Sequence, residues 1–194
     1  MLTLVEKIAR FTAILGGLIL TVLVVLTCIS VIGRGLNTFG HSDFLEAYAP
    51  AFGDMLLATG VAPITGDFEL VEAGVAFAIF SFLPICQLYG AHATVDIFTS
   101  MLSKRVNEVL MIVWEIALTA IVILITWRLF EGMQDKMKYG ETTFLLQFPI
   151  WQSYAASLVP AIIASLVGVY CSYARIIGFV TGHTPLPNSE GAVH

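Results

Sequence analysis

Long uncharged stretches divide the chain into four apolar runs. Phe11 to Gly33 carries no charge, and neither does Ala73 to Val95. Between Arg105 and Arg128 the only charges are Glu108 and Glu115, and Thr142 to Ala174 is again uncharged. At a rise of about 1.5 Å per residue, roughly 20 residues cross a hydrocarbon core of about 30 Å, and each run is longer than that. The pattern predicts an all-α integral membrane protein of four transmembrane helices, at about 11–33, 70–90, 106–128 and 150–174, within one domain, 1–178. Residues 179–194, with "GHTPLPNSEGAVH", read as a disordered cytoplasmic tail. Lys7 and Arg10 precede the first run, but that run is longer than a signal-peptide core and "RGLNTFG" lacks a small-x-small cleavage site, so a retained helix is expected.

The segments between the runs are also patterned. Leu36 to Asp67 is too long to be structureless in a compact protein. In "SDFLEAYAPAFGDML", Phe44, Leu45, Tyr48, Phe52, Met55 and Leu56 recur at helical spacing opposite Asp43, Glu46 and Asp54. This predicts an interfacial amphipathic helix, kinked or split at Pro50, that either covers the bundle or offers an acidic docking surface to a soluble partner. The second such loop ends in "TTFLLQFPIWQSY", where Trp151 and Tyr154 suit the headgroup level and Thr142 to Phe148 lie along the surface.

"FLPICQLYGAHATVD" (82–96) places His92 and Asp96 four apart, a spacing that could mark a metal or proton site on one helix face. Gly90, however, suits a helix C-terminus, and Asp96 suits the N-cap of a new short helix over "IFTSMLSK". Gly90, His92 and Asp96 are therefore read as a helix cap and membrane exit.

Composition sharpens this picture: 58% of residues are hydrophobic, 12% are charged, and mean hydropathy is +0.89. The net charge of −5 points away from nucleic acid. With four spans both termini share one side. That side would carry Lys7, Arg10, Lys104, Arg105 and Arg175, against Arg34, Arg128, Lys136 and Lys138 opposite, which favours cytoplasmic termini. Cys28, Cys86 and Cys171 are dispersed within the spans and read as small apolar fillers. Hydrolase, metalloprotease, P-loop and dinucleotide fingerprints are absent, and no histidine falls within a span, which argues against an enzyme, a metal site or a haem-binding subunit. Pro84 and Pro160 interrupt two spans and read as kinks rather than transporter-type breaks. Glu115 is the one ionisable residue deep in a span and on that ground a functional candidate; with no intramembrane cation the favoured reading is a protonated or hydrogen-bonded glutamate in a helix contact. Small residues four apart form packing stripes: Ala9, Ala13, Gly17 and Thr21, then Ala156, Pro160, Ala164, Gly168 and Ser172. Arg34 closes the first span while Glu69 and Glu72 open the second, so an ion pair is expected among them, with Glu72 favoured.

Several motifs together resemble a known family. "GDFELVE" (66–72), "FLP" (82–84), Gln87 and "GAHATVD" (90–96), with "SVIGR" closing the first span and "PIWQSY" opening the fourth, are similar to the small, four-span, DctQ-like permease subunit of TRAP (tripartite ATP-independent periplasmic) transporters. The likeness runs over roughly residues 5–175, with Ala93 a departure where an apolar residue usually follows the histidine. The resemblance implies a non-catalytic subunit of the bacterial inner membrane with cytoplasmic termini and no cofactor of its own, in contact with membrane lipids. It also implies a large permease partner of about a dozen spans, which carries the sodium and substrate sites and moves as an elevator. A periplasmic substrate-binding protein would deliver an organic acid such as a dicarboxylate for symport. The alternatives are the small subunit of a tripartite tricarboxylate transporter, also four-spanning, and a stand-alone channel or receptor.

Overall fold

A helix forms at each of the four apolar runs, and the first and third helices extend beyond their runs at both ends. The computed structural model describes residues 2–90, 104–181 and 186. Its elements are α1 (Leu2–Gly40), α2 (Asp43–Tyr48), α3 (Pro50–Ala58), α4 (Asp67–Tyr89), α5 (Lys104–Tyr139) and α6 (Ile150–Thr181). The long helices α1, α4, α5 and α6 are each long and apolar enough to span a membrane. The fold is all-α and integral to the membrane. At 39 residues α1 is about 58 Å long, so it overhangs the hydrocarbon core at both ends. Both α4 and α6 run without a break through Pro84 and Pro160.

Local chemistry sets the shorter elements. The Ser42 side chain accepts a hydrogen bond from the Leu45 N–H and starts α2, while Pro50 occupies the first turn of α3, where its missing N–H costs nothing. Both connections, 41–66 and 140–149, emerge at one end of the spans, called here the two-loop end; the opposite end is the terminal end. Asn37 on the overhang of α1 donates to the Val61 carbonyl at 2.8 Å, tying the longer loop down.

The four spans stand in an open row, α1–α4–α6–α5, with α6 and α4 in the middle. Among the described residues α1 and α5 have no extended packing with each other, so the row does not close into a bundle. Antiparallel α1 and α4 meet through a strict heptad repeat. Ala9, Gly16, Leu23 and Ser30 are buried on α1, and Gly16 faces Ser81, Leu23 faces Gly74 and Ser30 bonds Asp67. Ala9 and Leu88 complete the seam in one buried cluster with Val167 and Cys171. A period of seven keeps a seam facing its partner, as in coiled coils. The close approach depends on Gly16, where an added Cβ would lie 2.6 Å from the Ser81 Cβ.

This seam corrects the expected small-residue stripe on the first span. Ala9 is buried, but Ala13 and Gly17 are only half-buried and Thr21 is exposed. Four residues turn a helix by about 400°, so a stripe at that spacing drifts roughly 40° per step away from the partner. On α6, Pro160, Ala164 and Gly168 are buried, whereas Ala156 is exposed and Ser172 half-buried, so this stripe also strays from the contact at its ends. Contacts between α5 and α6 include two polar pairs: Thr119 meets Ser172 at 3.1 Å and Thr126 meets Ser165 at 3.0 Å. Such interhelical hydrogen bonds contribute about 0.6 kcal/mol each in a membrane.

Candidate functional site

At the terminal end of α5 and α6 a buried ion pair sits inside the row. Glu115 is 4% exposed, and its Oε2 accepts a hydrogen bond from Arg175 Nε at 3.0 Å. The expectation of a glutamate without a cation is thereby corrected. The helix continues past the apolar run to Thr181, so Arg175 is not a solvated end marker and its side chain reaches α5. Gln87 on α4 is also buried, with both amide atoms unpartnered among the described residues, as is Glu115 Oε1. Gly168 makes room for that amide, since a Cβ there would lie 2.8 Å from Gln87 Nε2. Gly90 ends α4 at φ 60°, a conformation that favours glycine, and a Cβ on it would lie 3.1 Å from the Arg175 guanidinium. His92 and Asp96 lie outside the described residues. Where α1 and α4 end on this side, Tyr89 donates to Glu6 at 2.9 Å and Arg10 pairs with the same carboxylate at 2.8 Å, a clasp that sequence spacing did not reveal.

At the two-loop end the expected pairing is rearranged. Arg34 stands 3.7 Å from Asp67, not from Glu69 or Glu72. The heptad register puts Ser30 opposite Asp67, where Ser30 Oγ donates to Oδ2 at 2.5 Å, and Arg34 follows one turn later on the same face. Glu69 is two residues on, rotated by about 200°, and so faces the other loop. There its two oxygens accept from the backbone N–H groups of Leu145 and Leu146 at 2.6 and 2.9 Å. Glu72 is exposed, with no side-chain partner among the described residues. The Arg34 pair, with its guanidinium largely exposed, contributes only about 0–1 kcal/mol.

The Glu69 contact has a direct consequence. Charge-assisted hydrogen bonds contribute about 1.5–3 kcal/mol, so Glu69→Ala should speed amide exchange at Leu145 and Leu146 by at least about tenfold. Hydrogen–deuterium exchange in detergent measures this; unchanged protection would mean that the carboxylate does not hold the loop.

The surface at this end carries both acids and large apolar groups. Asp43, Glu46 and Asp54 are exposed, but so are Phe44, Tyr48, Phe52 and Met55. The segment is split at Ala49–Pro50 into α2 and α3. Each short helix packs by its own contact, Leu45 in α2 and Gly53 with Leu57 in α3, the latter against Gly40. Phe144, at the tip of the second loop, is 87% exposed.

The family model for the DctQ component of tripartite ATP-independent periplasmic transporters matches residues 23–177. The chain belongs to the DctQ family. No curated protein and no solved structure matches it. As a DctQ component it is a small subunit of a TRAP transporter and a multi-pass membrane protein, and its family is one of transporter components. The match takes in the α1–α4 seam from Leu23 onward, both loops, and the Glu115–Arg175 pair.

Proposed function

We propose that this DctQ subunit is a non-catalytic scaffold. It holds the large permease subunit and helps dock the periplasmic binding protein, for sodium-coupled uptake of an organic acid. The observation that carries this reading is the family match across residues 23–177. The geometry supports it in two ways. Three pairs of polar side chains within the spans are engaged with one another, Glu115 with Arg175, Thr119 with Ser172 and Thr126 with Ser165, and these serve helix contacts. The outward faces of α1 and α5 are rich in large apolar groups, including Phe11, Leu18, Trp114 and Trp127, which suits burial against lipid and a larger membrane partner. Sodium and substrate sites belong to the large subunit in this reading. The termini are cytoplasmic and the two-loop end is periplasmic, which turns the acids of α2 and α3 toward the soluble partner.

Reconstitution tests the whole reading. In proteoliposomes with a sodium gradient, uptake of an organic acid should require the small subunit, the large subunit and the binding protein together. Asp43→Asn, Glu46→Gln and Asp54→Asn combined should raise the binding-protein concentration needed for half-maximal uptake. Cysteines placed at positions 54 and 138 should react with an impermeant reagent from the periplasm. Uptake by this chain alone would overturn the scaffold role, and cytoplasmic labelling of both positions would remove the docking surface.

A further inference from the structure

The overhang of α1 carries α2 and α3, and its anchors fix their height. Going outward along α1, Ser30 accepts a hydrogen bond from the Ile64 N–H at 3.2 Å, Asn37 donates to the Val61 carbonyl, and Gly40 lies against Gly53 and Leu57. The loop therefore descends along α1, and α2, which starts just after Gly40, stands at the outer end. A hydrocarbon core of about 30 Å entered at Phe11 is left near Val31, roughly 20 residues on. Gly40 lies about 14 Å further out along the helix, whereas a headgroup layer is only about 5–8 Å deep. Acyl chains do not reach that height.

Yet α2 turns out Phe44 and Tyr48, 62% and 79% exposed, and α3 turns out Phe52 and Met55. The Phe44 and Tyr48 rings lie 5.1 Å apart and form one apolar surface. Large apolar groups clustered in water, clear of lipid, mark a protein contact. Asp43, Glu46 and Asp54 are exposed among them, and no lysine or arginine occurs between Arg34 and Lys104. The charge around the aromatic surface thus has one sign. Its support is already ordered by the Ser42 cap and by the contacts to α1, so binding has little conformational freedom left to remove. We propose that the aromatic face of α2 and α3 holds a soluble protein by an apolar patch fringed with lysine and arginine, while the acids only steer it. This contact rests on the docking reading above, in which that protein is the periplasmic binding protein. Rim charges mainly set association rate and salt dependence, whereas desolvated aromatic anchors set the dissociation rate.

Binding kinetics of the binding protein on the complex of small and large subunits in nanodiscs separate the two roles. Phe44→Ala with Tyr48→Ala should speed dissociation at least about tenfold, the scale of a lost hot spot, with association little changed. Asp43→Asn, Glu46→Gln and Asp54→Asn combined should slow association at low salt and flatten its dependence on ionic strength, with dissociation within about twofold. All five positions are exposed, so the melting temperature of the complex should move little. The emission that Tyr48→Trp adds to the wild-type spectrum should resist quenching by lipids brominated on their acyl chains, and should shift to the blue when the binding protein is added. Quenching by those lipids would put the face in the membrane and overturn the proposal, as would unchanged dissociation in the aromatic variant. A wild-type complex that does not bind the binding protein would remove the docking reading itself, and this contact with it.

Discussion

Arg175→Leu is expected to destabilise the protein more than removing Arg175 and Glu115 together. The single change leaves the Glu115 carboxylate buried between α5 and α6 without its counter-charge. Breaking a buried pair from one side costs about 3–5 kcal/mol, whereas replacing both partners by apolar residues of similar volume is often neutral or stabilising. In detergent, Arg175→Leu should lower the melting temperature sharply, and Arg175→Leu with Glu115→Leu should recover most of the loss. Glu115→Leu alone leaves a guanidinium that is 21% exposed and closer to the helix end, so its loss should be smaller. If the two single losses simply add in the double variant, the groups are not coupled and the pair contributes nothing.

A second large effect separates neighbouring glycines. Gly16→Ala places a Cβ 2.6 Å from the Ser81 Cβ, well inside the roughly 3.5–4.0 Å at which carbon atoms pack. The Ser81 hydroxyl is bonded to the Phe77 carbonyl at 2.8 Å and its Cβ is fixed to helix backbone, so relief requires α1 and α4 to separate. Overpacking of this kind costs about 1–3 kcal/mol, and Gly16→Leu should abolish the seam. Gly17→Ala meets only Phe82 Cζ at 4.0 Å and should be silent or slightly stabilising, since alanine is the better helix former. Melting temperature and yield of monodisperse protein are the measurements. Greater damage from Gly17→Ala than from Gly16→Ala would mean that the helices meet on another face.

Spans are legible in a sequence because the bilayer demands a length of apolar residues, and that demand is nearly independent of partners. Helix ends are less legible. Charges such as Arg34 and Arg128 mark where the chain meets headgroups, while the backbone continues as helix to Gly40 and Tyr139. The glycine at position 90 was readable as a helix end from local chemistry alone, and it stands there at positive φ. The α1–α4 seam was not, because alternation such as Leu23 against Gly74 makes sense only when both helices are seen. Arg34 has three acids to choose from at the start of α4, and rotation about that helix, which spacing along the chain does not reveal, selects Asp67. Arg175 reads as a boundary charge in the sequence because a flexible side chain near a helix end can turn either way, and packing against α5 decides.

An open row of helices has edges, as a β-sheet does, and the two edges here are α1 and α5. In water an unpaired edge is hazardous because the hydrophobic effect rewards almost any cover. Within a bilayer that reward disappears, since the acyl chains are as apolar as leucine. A helix added at either edge therefore gains only what interlocking shape and hydrogen bonding provide beyond a good lipid contact. The edge of α1 offers Phe11, Ile14, Leu18, Val22, Val25 and Ile29, and that of α5 adds the indoles of Trp114 and Trp127. Exchanging one of these side chains for another of equal hydrophobicity but different outline should therefore disturb assembly, because at a lipid-facing edge contour and hydrogen bonding, not hydrophobicity, distinguish a partner from the solvent.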